Sequence, residues 1–225
     1  MSTSRTNTGS IAAQTDDPVA EETTFTLTAT NGSSVPGAQY FNVFPPKLIS
    51  PAQGTEIYTA LVSDQTTKAN STATMSWKGG AGALAMTVLT KTMKIGNAVQ
   101  TPVALGETVA VDWIDEAFTL TPAAGGPEGV ITVTFSQNIP ADSYVGLIVG
   151  PAPVLVPIPG NGSPLTLEPD LTPVVTVAFG TAFQWPKPQV WDESNAKTVT
   201  FKQGDTNGVY AQIQVGADNL IVETS

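Results

Sequence analysis

Thr24–Thr30 reads TFTLTAT. Phe25, Leu27 and Ala29 alternate with four threonines, so one face of an extended chain is apolar and the other carries hydroxyls. That period of two is the mark of a half-buried β-strand. Thr is β-branched and suits a pleated, half-exposed surface.

The idiom recurs along the chain. YFNVF (40–44), EIYTALVS (56–63), TATMSW (72–77), ETVAVDWI (107–114), AFTLTP (117–122), GVITVTF (129–135) and VVTVAFG (174–180) read as strands. KTVTFK (197–202), GVYAQIQVG (208–216) and NLIVET (219–224) extend the series. SYVGLIVG (143–150) is continuously apolar, as a central strand is. Gly, Pro and Asn punctuate the intervals; Asn31-Gly32 and Asp205–Gly208 are turn signals. ALAMTVLTKTMKI (83–95) is the one segment where a helix competes, and its Val and Thr content favours strand. About a dozen short strands without a substantial helix predict an all-β antiparallel β-sandwich, jelly-roll or immunoglobulin-like.

Residues 1–22 are rich in Ser, Thr, Asn and Asp and read as a flexible N-terminal arm. Residues 23–225 then form a single sandwich. The proline-rich stretch from Pro151 to Pro173 reads as a connector, and the alternative is two small sandwiches split within 151–173.

Composition narrows the chemistry. Only 12% of residues are charged, against about 25% in ordinary domains. The net charge is −10 with nine Lys and Arg, a poor match for nucleic acid or an anionic membrane. The plain consequence of the charge is solubility. There is no Cys, so no disulfide or thiolate metal site forms. There is no His, which removes the usual general base, the Ser-His and Cys-His nucleophile arrangements and the commonest zinc ligand. No cofactor or metal is expected, and the chain reads as a non-enzyme. No apolar run approaches the roughly 20 residues of a membrane-spanning helix. The segment MSTSRTNTGSIAAQTDDP lacks a signal-peptide pattern. The expected locations are the cytoplasm or a leaderless export route, unless a leader has been removed.

WPKPQVW (185–191) is the most distinctive run, with two of the four tryptophans in seven residues. Pro186 and Pro188 fix φ and restrain their predecessors, so the loop is stiff. Trp185, Pro186, Pro188 and Trp191 are therefore candidate contacts for a protein or polysaccharide surface, since Trp is enriched at binding hot spots. The competing reading folds both indoles inward as a plug, and their large apolar area favours burial of at least one.

VDWIDE (111–116) gathers Asp112, Asp115 and Glu116. A carboxylate pair can hydrolyse glycosides, and oxygen ligands can hold calcium, but the spacing matches no calcium loop. With Val111, Trp113 and Ile114 packed inward, Asp112 faces water and Asp115-Glu116 is a hairpin turn. Three sequons, at Asn31, Asn70 and Asn161, are read as turns and assigned no function.

The segment GGPEGVITVTFSQNIPADSYVGLIVGPAPVLVPIPG, with FTLTATNGSS before it and VVTVAFG and KTVTFKQG after it, resembles small bacterial all-β proteins of the rhizosphere-induced protein RhiA-like family. The likeness spans roughly residues 24–223. The family's Leu-Ala-Trp segment is echoed here only by SWKGGAGALA. The resemblance implies a bacterial accessory protein and supplies no catalytic residues.

The expected function is surface recognition or self-association, with a homo-oligomer as one form. A carbohydrate-binding module using the aromatic loop, a subunit of a filament or shell, and a carboxylate glycosidase are the alternatives.

Overall fold

The computed structural model describes residues 23–36, 39–49, 57–58, 60–63, 69–79, 81–89, 95–160, 162–183, 187–188, 196–204 and 208–224. Among them the chain forms nineteen strands and no helix. The first seven are β1 (Thr24–Asn31), β2 (Tyr40–Phe44), β3 (Ile57–Tyr58), β4 (Leu61–Val62), β5 (Ser71–Lys78), β6 (Ala81–Leu89) and β7 (Ile95–Pro102). Next come β8 (Glu107–Ile114), β9 (Ala117–Ala124), β10 (Ile131–Phe135), β11 (Ser143–Val149), β12 (Ala152–Pro157) and β13 (Leu165–Leu167). The last six are β14 (Val174–Gly180), β15 (Lys187–Pro188), β16 (Ala196–Thr200), β17 (Lys202–Gln203), β18 (Gly208–Val215) and β19 (Ile221–Glu223).

These strands build four sheets that pack as β-sandwiches. One sheet runs β17-β18-β1-β5, with β19 also on β18; a second runs β16-β14-β2-β4. Leu27, Ala29, Met75 and Ile213 of the first interdigitate with Phe41, Val43, Val177 and Val199 of the second. The remaining sheets, β15-β3-β12-β11-β6-β7 and β13-β10-β8-β9, enclose the other core. There Val109, Val111, Ile131 and Val133 meet Val145, Leu147, Val154 and Val156.

Strand β2 joins the two cores. Phe41 and Val43 face the first, while Phe44, on the opposite face, belongs to the second. Both faces of β2 are therefore covered, which is why four of its five residues are buried.

Pairing is not wholly antiparallel, as the sequence had suggested. β1 runs parallel to β18, from Thr24↔Gly208 to Asn31↔Val215, and β8 runs parallel to β10. Alternation within a strand fixes which face is buried but says nothing of neighbour direction.

The expected connector 151–173 is corrected. Ala152–Pro157 is a strand between β11 and β3, with Val154, Leu155 and Val156 buried, and Leu165–Leu167 pairs with β10. Pro153 and Pro157 sit within β12 itself. Two other segments divide between sheets. EIYTALVS gives β3 to one sheet and β4 to another. KTVTFK crosses from β16 to β17 at Phe201, whose amide donates to Pro173 O at 2.9 Å. Of the segment 83–95, the described residues are strand: 83–89 belong to β6 and Ile95 opens β7.

Candidate functional site

Trp77 is the penultimate residue of β5, on the same face as Met75 and Ala73. Alternation sends it toward the core, but the strand ends there, and the indole stays half-buried at the core's rim. It stacks on Phe25 with centroids 6.0 Å apart and meets Phe201 edge-on at 5.4 Å. Phe25 and Phe201 are themselves edge-to-face at 5.1 Å. Such aromatic pairs add about 0.5–1.5 kcal/mol each beyond area burial. The cluster is therefore rigid.

Two glycines shape its surroundings. A Cβ on Gly79 would come within 2.3 Å of Phe25 Cε2, so glycine is what lets that ring lie against the chain. Gly150, in the β11–β12 turn, has φ +74°, and a Cβ there would stand 3.2 Å from Trp77 Nε1. The β11–β12 hairpin of one sandwich thus rests on the indole of the other.

The outcome is an open cleft of about 560 Å³ where the two sandwiches meet. Its apolar lining comes from Phe25, Trp77, Pro46, Pro151, Leu171 and Pro173. Thr23, Asp170, Thr172 and Gln203 supply polar groups. Asp170 Oδ1 accepts from Thr172 N at 2.9 Å and from Thr172 Oγ1 at 2.7 Å, which fixes the 170–172 turn along one wall. Leu171 projects from that turn and is 53% exposed. A largely apolar concavity with a few fixed polar groups has the make-up of a ligand site.

Of the sequence-predicted site residues, Pro188, Asp112, Asp115 and Glu116 are described, and none of them lines this cleft. Lys187-Pro188 forms the two-residue β15, paired with β3 at the edge of the six-stranded sheet, where proline is tolerated. Trp185, Pro186 and Trp191 lie outside the described residues. The approach to that loop is fixed: buried Asn42 donates through Nδ2 to Thr181 O at 3.1 Å and accepts from Phe183 N at 2.8 Å.

Asp115 and Glu116 form the two-residue turn of the β8–β9 hairpin. Their φ values of +50° and +61° are those of a type I′ turn. Both are exposed, and Asp112 is half-exposed on the outer face opposite Thr119. Val111 is buried and Trp113 packs edge-on against Phe118 at 4.7 Å. Ile114 corrects the expectation of inward packing: its register partner is Ala117 on the outer face, and it is 55% exposed. None of the three carboxylates lines the cleft. Among the described residues no group of three Asp or Glu is placed to hold a metal ion.

No family model, curated protein or solved structure matches the chain. The reading of the site therefore rests on its own geometry. The cleft was missed in the sequence because its residues come from β1, β5, the β11–β12 turn and the run 170–175. The one local signal was Trp77 at a strand end, two residues before Gly79-Gly80.

Proposed function

We propose that this is a non-catalytic recognition protein and that the cleft between its sandwiches is the contact site, with a saccharide chain as ligand. The observation that carries the reading is the half-buried Trp77, held by Phe25 and Phe201 beside an open, mostly apolar concavity. A sugar ring has an apolar face that lies against such a surface and hydroxyls that reach polar side chains on the wall; Asp170, Thr172 and Gln203 are in position to meet them. The absence of His and Cys from the sequence supports a binding role over nucleophilic or imidazole catalysis.

The test is affinity electrophoresis and calorimetry with soluble neutral and acidic polysaccharides, comparing wild type with Leu171→Asp. Leu171 is exposed, so the substitution changes the cleft wall without opening a core. Binding by wild type that weakens at least about tenfold in the variant is expected for loss of an apolar contact plus a misplaced charge. Equal binding by both removes the cleft from the account.

A further inference from the structure

The outer face of the β17-β18-β1-β5 sheet is unlike the rest of the surface. Even-numbered positions of β1, β5 and β18 point outward, and none of them is Asp or Glu. The only charges among them, with β17 included, are Lys78 and Lys202. Registers Thr24↔Lys78, Thr26↔Ser76, Thr26↔Tyr210 and Lys202↔Tyr210 put both lysines in adjacent rows at one end of that face. The rows are held by side-chain contacts: Thr26 Oγ1 and Ser76 Oγ are 3.2 Å apart, and Lys78 Nζ donates to Thr24 Oγ1 at 3.2 Å. Tyr210, between the lysines, is 44% exposed. Beside it, β17 and β19 leave a gap of about 190 Å³ along β18, with Lys202 on one bank and Glu223 on the other.

Charge elsewhere is distributed the opposite way. Residues 95–173 hold eight carboxylates and no Lys or Arg, so that this third of the chain carries −8 of the net −10. One exposed acidic feature there is the β8–β9 hairpin. Its tip presents Asp115 and Glu116 in a two-residue turn, with Asp112 and the exposed Ile114 on one side. An exposed isoleucine framed by carboxylates on a tight hairpin is a compact anchor.

From this complementarity we infer that the β8–β9 hairpin of a second copy docks on the lysine end of the β17-β18-β1-β5 face. Ile114 lies against Tyr210 and the neighbouring gap, and the carboxylates approach Lys78 and Lys202. The two surfaces differ, so the contact is heterologous and propagates head to tail instead of closing a two-fold dimer. The inference is independent of the saccharide cleft, whose residues it does not use except Gln203 at the margin.

The test is sedimentation velocity at low and high salt, up to about 1 mM protein. Wild type is expected to form a concentration-dependent series of oligomers that salt disperses. Two variants each disable one surface: Lys78→Glu/Lys202→Glu, and Ile114→Lys/Asp115→Asn/Glu116→Gly, the latter with residues that the type I′ turn accepts readily. Each alone is expected to associate at least about tenfold more weakly. Mixed together, they retain one intact surface of each kind, so a 1:1 heterodimer forms and goes no further. That dimer also shows both variants to be folded. A wild type that stays monomeric throughout overturns the inference. So does association untouched by either variant, or a mixture that shows no heterodimer.

Discussion

At the scale of single residues, buried polar groups make the clearest contrast. Asn42 is 4% exposed and satisfied on both sides of its amide, by Thr181 O and Phe183 N. Asn42→Ala leaves those two backbone groups unpaired, and a loss of about 2–4 kcal/mol in urea unfolding is expected. Ser143 is 1% exposed, and its Oγ has no partner. Ser143→Ala is expected to be neutral or to gain up to about 1 kcal/mol in the same measurement, because desolvation of an unpaired hydroxyl is relieved. YFNVF marks Asn42 only as a strand residue. The sequence cannot show that the outward face of β2 meets a second core.

At the scale of elements, alternation was a sound guide and proline a poor one. Tyr40–Phe44, Glu107–Ile114 and Val174–Gly180 form strands with the bounds that period two indicates. The prolines from Pro151 to Pro173 suggested a connector, yet β12 is among the most buried strands, and its two prolines flank Val154 and Leu155, the residues that pair with β3. The β11–β12 hairpin also bears on function through Gly150. Gly150→Ala forces a left-handed backbone on a residue with a Cβ and presses that Cβ toward Trp77 Nε1. A loss of about 1–2 kcal/mol is expected, together with weaker saccharide binding than wild type. Stability lost with binding unchanged would separate the hairpin from the cleft. In the middle of β11, Gly146 faces Val154 O, which a Cβ would meet at 1.8 Å. Gly146→Ala is therefore expected to cost about 3 kcal/mol or more in denaturant unfolding.

At the scale of the whole molecule, the fold class could be read in advance and the assembly of sheets could not. The all-β sandwich follows from Thr-rich alternation and frequent turns. The parallel union of β1 with β18, nearly the length of the chain apart, depends on long-range packing that no local pattern encodes. The candidate site shares that origin: Phe25, Trp77, Gly150, Leu171 and Phe201 are scattered in sequence and converge only through the sheets. Strand β2 contributes Phe41 and Val43 to one core and Phe44 to the other. Calorimetry is expected to show one cooperative transition, and Val177→Ala, in the first core, to lower the melting of the entire molecule. Two separate transitions would mean that the cores unfold independently.

The claim that matters most is that the protein works through the cleft floored by Trp77 and Phe25. It is tested most directly by hydrogen–deuterium exchange with and without the polysaccharide that wild type binds best. The prediction is slowed exchange at the backbone amides within the segments 77–79, 149–150 and 170–175 (Pro173 has none), with the β8–β9 hairpin unchanged. Protection confined to other strands, or none in those three segments, would contradict it.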